Sequence, residues 1–150
     1  MTDDDRLRLM ALDTEDLAVL SAHLQDAVLK VGDLSWLPQE KRFVLAMNRF
    51  VWEKAQKGSW LKRDYQRRRS CLHFDRVEAV KSTGIDREAT ETVLELLAVR
   101  FEPHDGPSGD VLIDFAGGGS IRLSVECLEA QLADLGPAWS TDHAPRHVLT

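Results

Sequence analysis

Apolar and polar positions follow a strand pattern and then a helix pattern at the start of the chain. Alternation of apolar residues over residues 7–12 predicts a short strand with a buried face. Asp13 or Thr14 can then cap a helix, because their side-chain oxygens accept hydrogen bonds from the free backbone amides of the first turn. We expect this helix to end between Gln25 and Val31. Its apolar stripe comprises Leu17, Leu20, Leu24 and Val28.

From residue 28 onward, apolar stretches alternate with turn signals, which is typical of consecutive strands. Residues 92–101 alternate on one face but also carry apolar residues on the other, so strand and helix both remain open, with strand favoured. The predicted turns cover residues 32–33, 38–41, 82–84 and 103–107. The predicted strands between them cover residues 43–52, where the end is Phe50 or Trp52, and residues 70–80.

The clearest local signal is a hairpin through the glycines at 117–119. It joins residues 110–115 to residues 120–125, and apolar and polar positions alternate in the second strand. Its buried side chains are predicted to be Ile113, Phe115, Ile121 and Leu123. After the hairpin, leucines recur at spacings of four and three, so we expect a closing amphipathic helix that ends at Gly136 and Pro137. The leucines of this predicted helix are Leu128, Leu132 and Leu135.

The resulting order of elements is strand, helix, five or six strands, helix, and it predicts an α+β fold. Short connections favour antiparallel pairing, since parallel pairing needs crossover segments. We expect a curled antiparallel sheet or half-barrel with an N-terminal and a C-terminal amphipathic helix, for which a pleckstrin-homology-like half-barrel is an analogy. The predicted organisation is a disordered acidic N-terminus at residues 1–6, a single domain at 7–139 with a basic loop at 53–69, and a loose tail at 140–150.

The composition narrows the class of protein without naming a function. A chain of 150 residues that is 43% hydrophobic and 29% charged is an ordinary globular domain, which excludes a collagenous or largely disordered protein. No apolar run approaches the roughly 20 residues of a membrane-spanning helix. The acidic residues 1–5 also lack the basic and then apolar pattern of a secretory signal. We therefore expect a cytoplasmic protein with no membrane partner.

One segment carries a charge opposite to that of the rest of the chain. The net charge is -6, yet residues 54–69 carry +6 and the remaining residues -12. The segment has no regular period and is predicted to be an exposed loop, in which cations can contact phosphates or acidic side chains and aromatic rings can stack on bases. The candidate binding residues are Lys57, Trp60, Lys62, Arg63, Tyr65, Arg67, Arg68 and Arg69. We expect the three consecutive arginines to keep their guanidinium groups at the surface.

The residues that could support catalysis or metal binding fit those roles poorly. Cys71 and His73 lie two apart on a predicted strand, which separates their side chains by roughly 6 to 7 Å, too far for a nucleophile and its base. His143 and His147 have a metal-ligand spacing, but Pro145 between them disfavours the helix that would present both. We therefore predict no catalytic residue, no metal and no cofactor, and we expect the two cysteines to remain unpaired.

Several collinear segments, which together span roughly residues 7–139, resemble a known family. These are Ala22-His23-Leu24-Gln25-Asp26-Ala27-Val28, Leu72-His73-Phe74-Asp75-Arg76-Val77, Phe115-Ala116-Gly117-Gly118-Gly119-Ser120-Ile121-Arg122-Leu123, Cys127-Leu128-Glu129-Ala130-Gln131-Leu132 and Leu135-Gly136-Pro137-Ala138-Trp139. The family is the group of small alphaproteobacterial proteins called domain of unknown function 2948. The resemblance implies a bacterial, cytoplasmic origin and assigns no functional residue.

Three hypotheses for function remain open at this point. The leading one is a non-enzymatic binding or scaffolding module that engages an acidic protein surface, or a second copy of itself, through the basic loop. The alternative is an RNA-associated protein that uses the cations and aromatic rings of the same loop. A weaker alternative is a hydrolase or transferase whose site the sequence does not mark.

Overall fold

The computed structural model describes residues 6–52, 65–136 and 139–141, which form eleven strands and one α-helix. The strands are β1 (Arg8–Ala11), β2 (Val28–Lys30), β3 (Leu34–Leu37), β4 (Arg42–Phe50), β5 (Tyr65–Phe74), β6 (Val77–Thr83), β7 (Val93–Pro103), β8 (Gly109–Phe115), β9 (Ser120–Val125), β10 (Ala130–Asp134) and β11 (Trp139–Thr141). The helix α1 covers Thr14–Leu24, and a single 3₁₀ turn covers Val31–Asp33.

The helix α1 begins where its capping signal predicts. The side chain of Asp13 accepts a hydrogen bond from the backbone N–H of Asp16 at 2.8 Å. The helix ends at Leu24 because Asp26 adopts a left-handed conformation with φ of 65°, and its N–H bonds to the carbonyl of Leu96 at 2.8 Å. Three leucines of the predicted stripe, Leu17, Leu20 and Leu24, are buried. Val28 is not on the helix, because the chain has already entered β2.

The strands form a single sheet in the order β1-β10-β5-β4-β2-β7-β8-β9-β6, with β3 added to β4 and β11 added to β5. Every pairing between described strands is antiparallel, as the short connections predict. The sheet is not closed: β6 has no partner on its outer edge among the described strands, and neither has β3. The predicted antiparallel sheet is therefore confirmed at this level.

The core lies on the inner face of the curled sheet and includes one face of α1. The hairpin β8–β9 confirms the strongest prediction, because Ile113, Phe115, Ile121 and Leu123 are all buried. Its turn needs glycine, since Gly117 and Gly118 have φ values of 89° and 98°. Of residues 92–101, residues 93–101 belong to a strand, β7, and the segment does not form a helix.

The predicted C-terminal helix is wrong, because residues Ala130–Asp134 form the strand β10. This strand lies between β1 and β5 and pairs with both, so its backbone groups bond to two neighbours. Leu128 and Leu132 are buried, but Leu135 is exposed, which a single apolar helical stripe cannot explain. Pairing on both sides outweighs the leucine spacing, as tertiary context commonly outweighs local pattern. The analogy to a pleckstrin-homology-like fold, which required this closing helix, is not confirmed.

Other predicted boundaries also change. Residues 53–69 were expected to be one loop, but residues from Tyr65 onward belong to β5, while residues 53–64 lie outside the described residues. The strand predicted at 70–80 is two strands, because Arg76 turns the chain with φ of 61°. Residues 32–33 lie in a 3₁₀ turn and do not form a hairpin joint. Residues 140 and 141, predicted in the tail, lie in β11, and residues 142–150 lie outside the described residues.

Candidate functional site

The opening in the sheet lies between β3 and β6, and we call this gap the slot. At one end, the N–H of Val77 bonds to the carbonyl of Lys41 at 2.9 Å, which joins the start of β6 to the turn after β3. At the other end, the N–H of Gly32 bonds to the carbonyl of Thr90 at 2.9 Å, so the segment after β6 packs against the 3₁₀ turn before β3. The two strands therefore run in opposite directions along the slot and leave it open between these two contacts.

A cavity of about 210 Å³ lies in the slot. Its polar side chains are Ser82 and Arg87, and Arg87 is its charged residue. Its apolar walls come from both strands, from the core and from the segments that flank the strands: Val31, Leu34, Trp36, Phe43, Val80, Ile85 and Ile121. Phe43 and Ile121 are fully buried core residues, so the cavity connects the surface with the apolar interior.

Arg87 is exposed, and it forms no ion pair with another described residue. Two of the acidic groups near it in sequence have other contacts: the carboxylate of Asp86 accepts the N–H of Glu88 at 3.1 Å, and Glu91 pairs with Lys30 at 2.8 Å. A guanidinium group presents five donors in a planar fork that suits a carboxylate. The slot therefore combines an apolar cavity with a cation that is open to an external anion.

A second, polar groove of about 320 Å³ lies on the outer face of β6, β9, β8 and β7. Its arginines are already neutralised, because Arg100 contacts Asp114 at 3.1 Å and Arg122 pairs with Asp110. Glu102 lies within 3.9 Å of both arginines. Lys81 also lines the groove and has no ion pair to another described residue, but the groove lacks the apolar walls of the slot and therefore offers less to an apolar ligand.

The predicted basic binding residues fall into three groups. Lys57, Trp60, Lys62 and Arg63 lie outside the described residues, and Tyr65 begins β5. Arg67, Arg68 and Arg69 lie on β5, so alternation places Arg68 on the opposite face from the other two. Whether any of these residues binds a partner stays a prediction.

Arg68 is buried, which contradicts the expectation that all three arginines stay at the surface. Its side chain points inward, is 4% exposed as a residue, and has its Nε 3.9 Å from Oδ2 of Asp134. Arg67 and Arg69 are on the outer face and are only half-buried. Both bond to Asn48: Nη1 of Arg67 donates to its carbonyl at 3.2 Å, and Nη1 of Arg69 donates to its side-chain oxygen at 3.2 Å. Burial lowers the pKa of Arg67, although acidic groups nearby oppose that shift.

A buried ion pair that the sequence analysis missed lies at one end of the core. The side chains of Arg49 and Asp134 are both 0% exposed, and two guanidinium nitrogens contact the two carboxylate oxygens at 2.8 and 2.9 Å. The carboxylate also accepts hydrogen bonds from the Ser70 hydroxyl at 2.6 Å and from the N–H of Leu7 at 2.7 Å. These contacts join β4, β5, β10 and the residue before β1, so loss of one partner would leave the other charge buried in the sheet. The sequence does contain a signal for the buried position of Arg49, because Arg49 continues the alternation of inward-facing residues along β4.

The strand β5 also carries the residues that were considered for catalysis. Nε2 of His73 lies 3.5 Å from Oδ2 of Asp75, whose other oxygen accepts from Nε of Arg42 at 2.7 Å. Burial raises the pKa of the Cys71 thiol and lowers the pKa of His73. Both shifts favour the neutral forms, whereas a cysteine nucleophile needs a thiolate. Within the described part of the chain, no group of three or more His, Cys, Asp or Glu side chains is arranged to hold a metal ion.

Residues 7–147 match the family described as Protein of unknown function (DUF2948). The chain belongs to this family. The resemblance of the sequence segments to domain of unknown function 2948 is therefore confirmed. No curated protein and no solved structure matches the chain.

The DUF2948 description assigns no activity. Among the described residues, no helix is long and apolar enough to cross a membrane. Of the sites described above, the ion pair of Arg49 is internal, the arginines of the polar groove are paired, and burial raises the pKa of the Cys71 thiol. The slot is the feature whose chemistry is open to a ligand.

Proposed function

We propose that this protein is a non-enzymatic binding module whose slot takes an apolar group that carries a negative charge. The observation that supports the proposal is the position of Arg87 beside an apolar cavity of about 210 Å³, with no ion pair to another described residue. The proposed ligand is still acidic, as the sequence suggested, but the proposed binding site is the slot and not the basic loop.

The two parts of the slot contribute differently to binding. An apolar side chain or ring moved from water into the cavity gains roughly 1.5–3 kcal/mol. An ion pair at an exposed arginine gains about 0.2–1 kcal/mol, because water and salt screen it. The cavity therefore supplies most of the affinity, and Arg87 supplies orientation and the preference for an anion.

A titration followed by amide NMR tests the proposal with 3-phenylpropionate, which has one ring and one carboxylate. Binding should shift the resonances of residues in β3, β6 and the segment around Arg87. The neutral 3-phenylpropionamide should bind more weakly, and acetate, which lacks the ring, should not bind measurably. Absence of shifts in the slot with 3-phenylpropionate near its solubility limit would refute the proposal.

Two pairs of variants separate the contributions. Arg87→Gln should weaken the binding of 3-phenylpropionate but not that of the amide. The matched control is Arg8→Gln, because Arg8 is exposed and lies on β1, at the opposite end of the sheet order. Val80→Phe should fill the cavity and abolish binding of both compounds, and its matched control is Val19→Phe on the exposed part of α1. Amide spectra of all four variants show whether the fold is retained.

A second proposal places the binding surface on the basic segment. An acidic partner or RNA would then contact the outer face of β5. The observation that favours it is that Arg67 and Arg69 share this face and are half-exposed. The test is the affinity for a single-stranded RNA as salt is raised, since phosphate contacts are lost steeply with salt. Arg67→Gln with Arg69→Gln should weaken binding and lower the salt dependence; an unchanged affinity would contradict this proposal. Arg68 is left unchanged in this variant because it is buried.

A further inference from the structure

We infer that the occupant of the slot is a short extended acidic peptide segment of a partner protein, which adds to the sheet as a strand between the two backbone contacts that close the ends of the slot. One apolar side chain of the segment enters the cavity, and a carboxylate two residues away meets Arg87. This inference rests on the proposed function and names its partner.

The free edges of the slot favour an extended peptide over a small ligand. β3 pairs with β4 and β6 pairs with β9, and neither has a second partner among the described strands. An edge strand presents a row of backbone N–H and C=O groups that can pair with another chain. A small ligand would leave these groups to water, whereas an extended peptide pairs them and gains affinity from main-chain hydrogen bonds.

The size of the cavity favours a single side chain of a larger partner. Sites for whole cofactors or drug-sized ligands commonly enclose about 300–1,000 Å³, and this cavity encloses about 210 Å³. It therefore suits one bulky side chain better than a complete small molecule. The walls agree, because Leu34 and Trp36 of β3 are half-buried at the cavity while the alternating Ser35 and Leu37 are exposed.

The spacing of the recognised groups follows from strand geometry. Side chains two residues apart on a strand point to the same face, and adjacent side chains point to opposite faces. The cavity and Arg87 lie together, since Arg87 lines the cavity itself. A peptide strand that places an apolar side chain in the cavity must therefore present its carboxylate two positions before or after it. Arg87 supplies the charge complementarity that selects an acidic segment.

Three peptides of identical composition test this geometry. Acetyl-Thr-Thr-Phe-Thr-Glu-Thr-amide and acetyl-Thr-Glu-Thr-Phe-Thr-Thr-amide place phenylalanine and glutamate on one face in the two chain directions. Acetyl-Thr-Thr-Phe-Glu-Thr-Thr-amide places them on opposite faces. One of the first two should bind, and the third should bind up to about 5-fold more weakly, the upper value of an exposed ion pair. In Arg87→Gln this difference should disappear, and in Arg8→Gln it should remain.

The contributions of the cavity and of the backbone are measured with whichever of the first two peptides binds more tightly. Replacement of its phenylalanine by alanine should weaken binding by about 10- to 150-fold, the value of burying that side chain. N-methylation of the threonine between phenylalanine and glutamate removes one backbone donor and should weaken binding without changing any side chain. Amide hydrogen exchange should slow in β3 and β6 when the peptide is bound, and Val80→Phe should abolish both effects.

The possible outcomes separate the two proposals. If 3-phenylpropionate binds in the slot but the peptides bind no better than it, and exchange in β3 and β6 is unchanged, the strand-addition inference is wrong and the proposed function stands. If neither the small carboxylate nor any peptide binds, both are wrong. If the peptides bind with equal affinity in all three arrangements, the period-two recognition by Arg87 is wrong.

Discussion

The substitution Asp134→Asn removes the carboxylate of the buried ion pair and leaves the guanidinium group of Arg49 inside the protein. Both side chains are 0% exposed, so water does not replace the lost charge. Breaking one partner of a buried pair costs about 3–5 kcal/mol, against a typical total of about 5–15 kcal/mol for a folded domain. With a urea m-value of about 1–3 kcal/mol per molar, the unfolding midpoint should fall by about 2 M.

The assay is urea unfolding followed by circular dichroism and tryptophan fluorescence, so that agreement of the two probes establishes a two-state transition. The matched control is Asp75→Asn, because Asp75 also pairs with an arginine, at 2.7 Å to Nε of Arg42, but in a partly exposed position. The control should cost no more than about 1 kcal/mol. Equal effects of the two substitutions would refute the conclusion that burial makes the Asp134 pair important.

The pH dependence of stability provides an independent check on Asp134. Burial of the carboxyl raises its pKa, but hydrogen bonds from Arg49, Ser70 and the N–H of Leu7, together with the charge of Arg49, outweigh this and lower the pKa overall. A carboxyl with a lowered pKa in the folded state stabilises the protein above the pKa of the unfolded chain. That stabilisation should be lost as the pH falls below about 4 and through the folded-state pKa. The Asp134→Asn variant should lack this part of the acid-induced loss.

A double variant distinguishes the net value of the pair from the cost of breaking it. Arg49→Met combined with Asp134→Leu replaces both charges by apolar side chains, and such replacements are often neutral or stabilising. We expect the double variant to recover most of the stability that Asp134→Asn loses. If it is no more stable than Asp134→Asn, the loss comes from packing or from the Ser70 and Leu7 contacts and not from the unpaired charge.

Three further predictions test other parts of the fold by the same unfolding assay. Leu132→Ala should cost about 2–5 kcal/mol because Leu132 is fully buried in β10, whereas Leu135→Ala, at a side chain that is 55% exposed, should stay within about 0.5 kcal/mol. Gly109→Ala should cost about 1–3 kcal/mol, because the added methyl group would overlap the backbone carbonyl oxygen of Glu102 and would lie 2.6 Å from Cζ of Phe101. Arg68→Ala should lower stability by more than about 1 kcal/mol, and a change below about 0.5 kcal/mol would place Arg68 at the surface.

The elements that the sequence predicts well depend on local signals. The hairpin β8–β9 combines alternation with glycines whose positive φ the turn requires, so neighbouring residues determine it almost completely. The start of α1 is determined in the same way, since the Asp13 cap lies three residues from the N–H that it binds. Neither element needs information from distant parts of the chain.

The elements that the sequence predicts poorly depend on distant partners. β10 becomes a strand because β1, from the start of the chain, and β5 pair with it on both sides. The first part of β5 was interpreted as loop because its cations suggested solvent exposure. Alternation instead directs Arg68 inward, toward Asp134, whose position could be known only after β10 was recognised as a strand.

The slot could not be predicted, because strands and segments far apart in sequence form it. Trp36 and Val80 lie more than forty residues apart in the chain, and no motif connects them to Arg87. The densest cluster of charge stands out in the sequence, whereas a single arginine becomes informative only when its apolar neighbours are known. Charge density along the chain indicates where repulsion must be relieved, and it does not by itself locate a binding surface.

The contrast between the two arginine environments explains how stability and recognition can be separated in this fold. Arg49 lies inside the sheet, and a carboxylate with matching geometry accepts its donors, which is the arrangement that a buried charge requires. Arg87 lies at the opening in the sheet, and the carboxylates of Asp86 and Glu91 near it in sequence have other contacts. Because β3 pairs with Arg42–Leu45 of β4, whereas Arg49 lies further along that strand, occupancy of the slot need not disturb the buried pair. A folded Asp134→Asn protein should therefore retain the slot affinity of the wild type, whereas Arg87→Gln should lose affinity without losing stability.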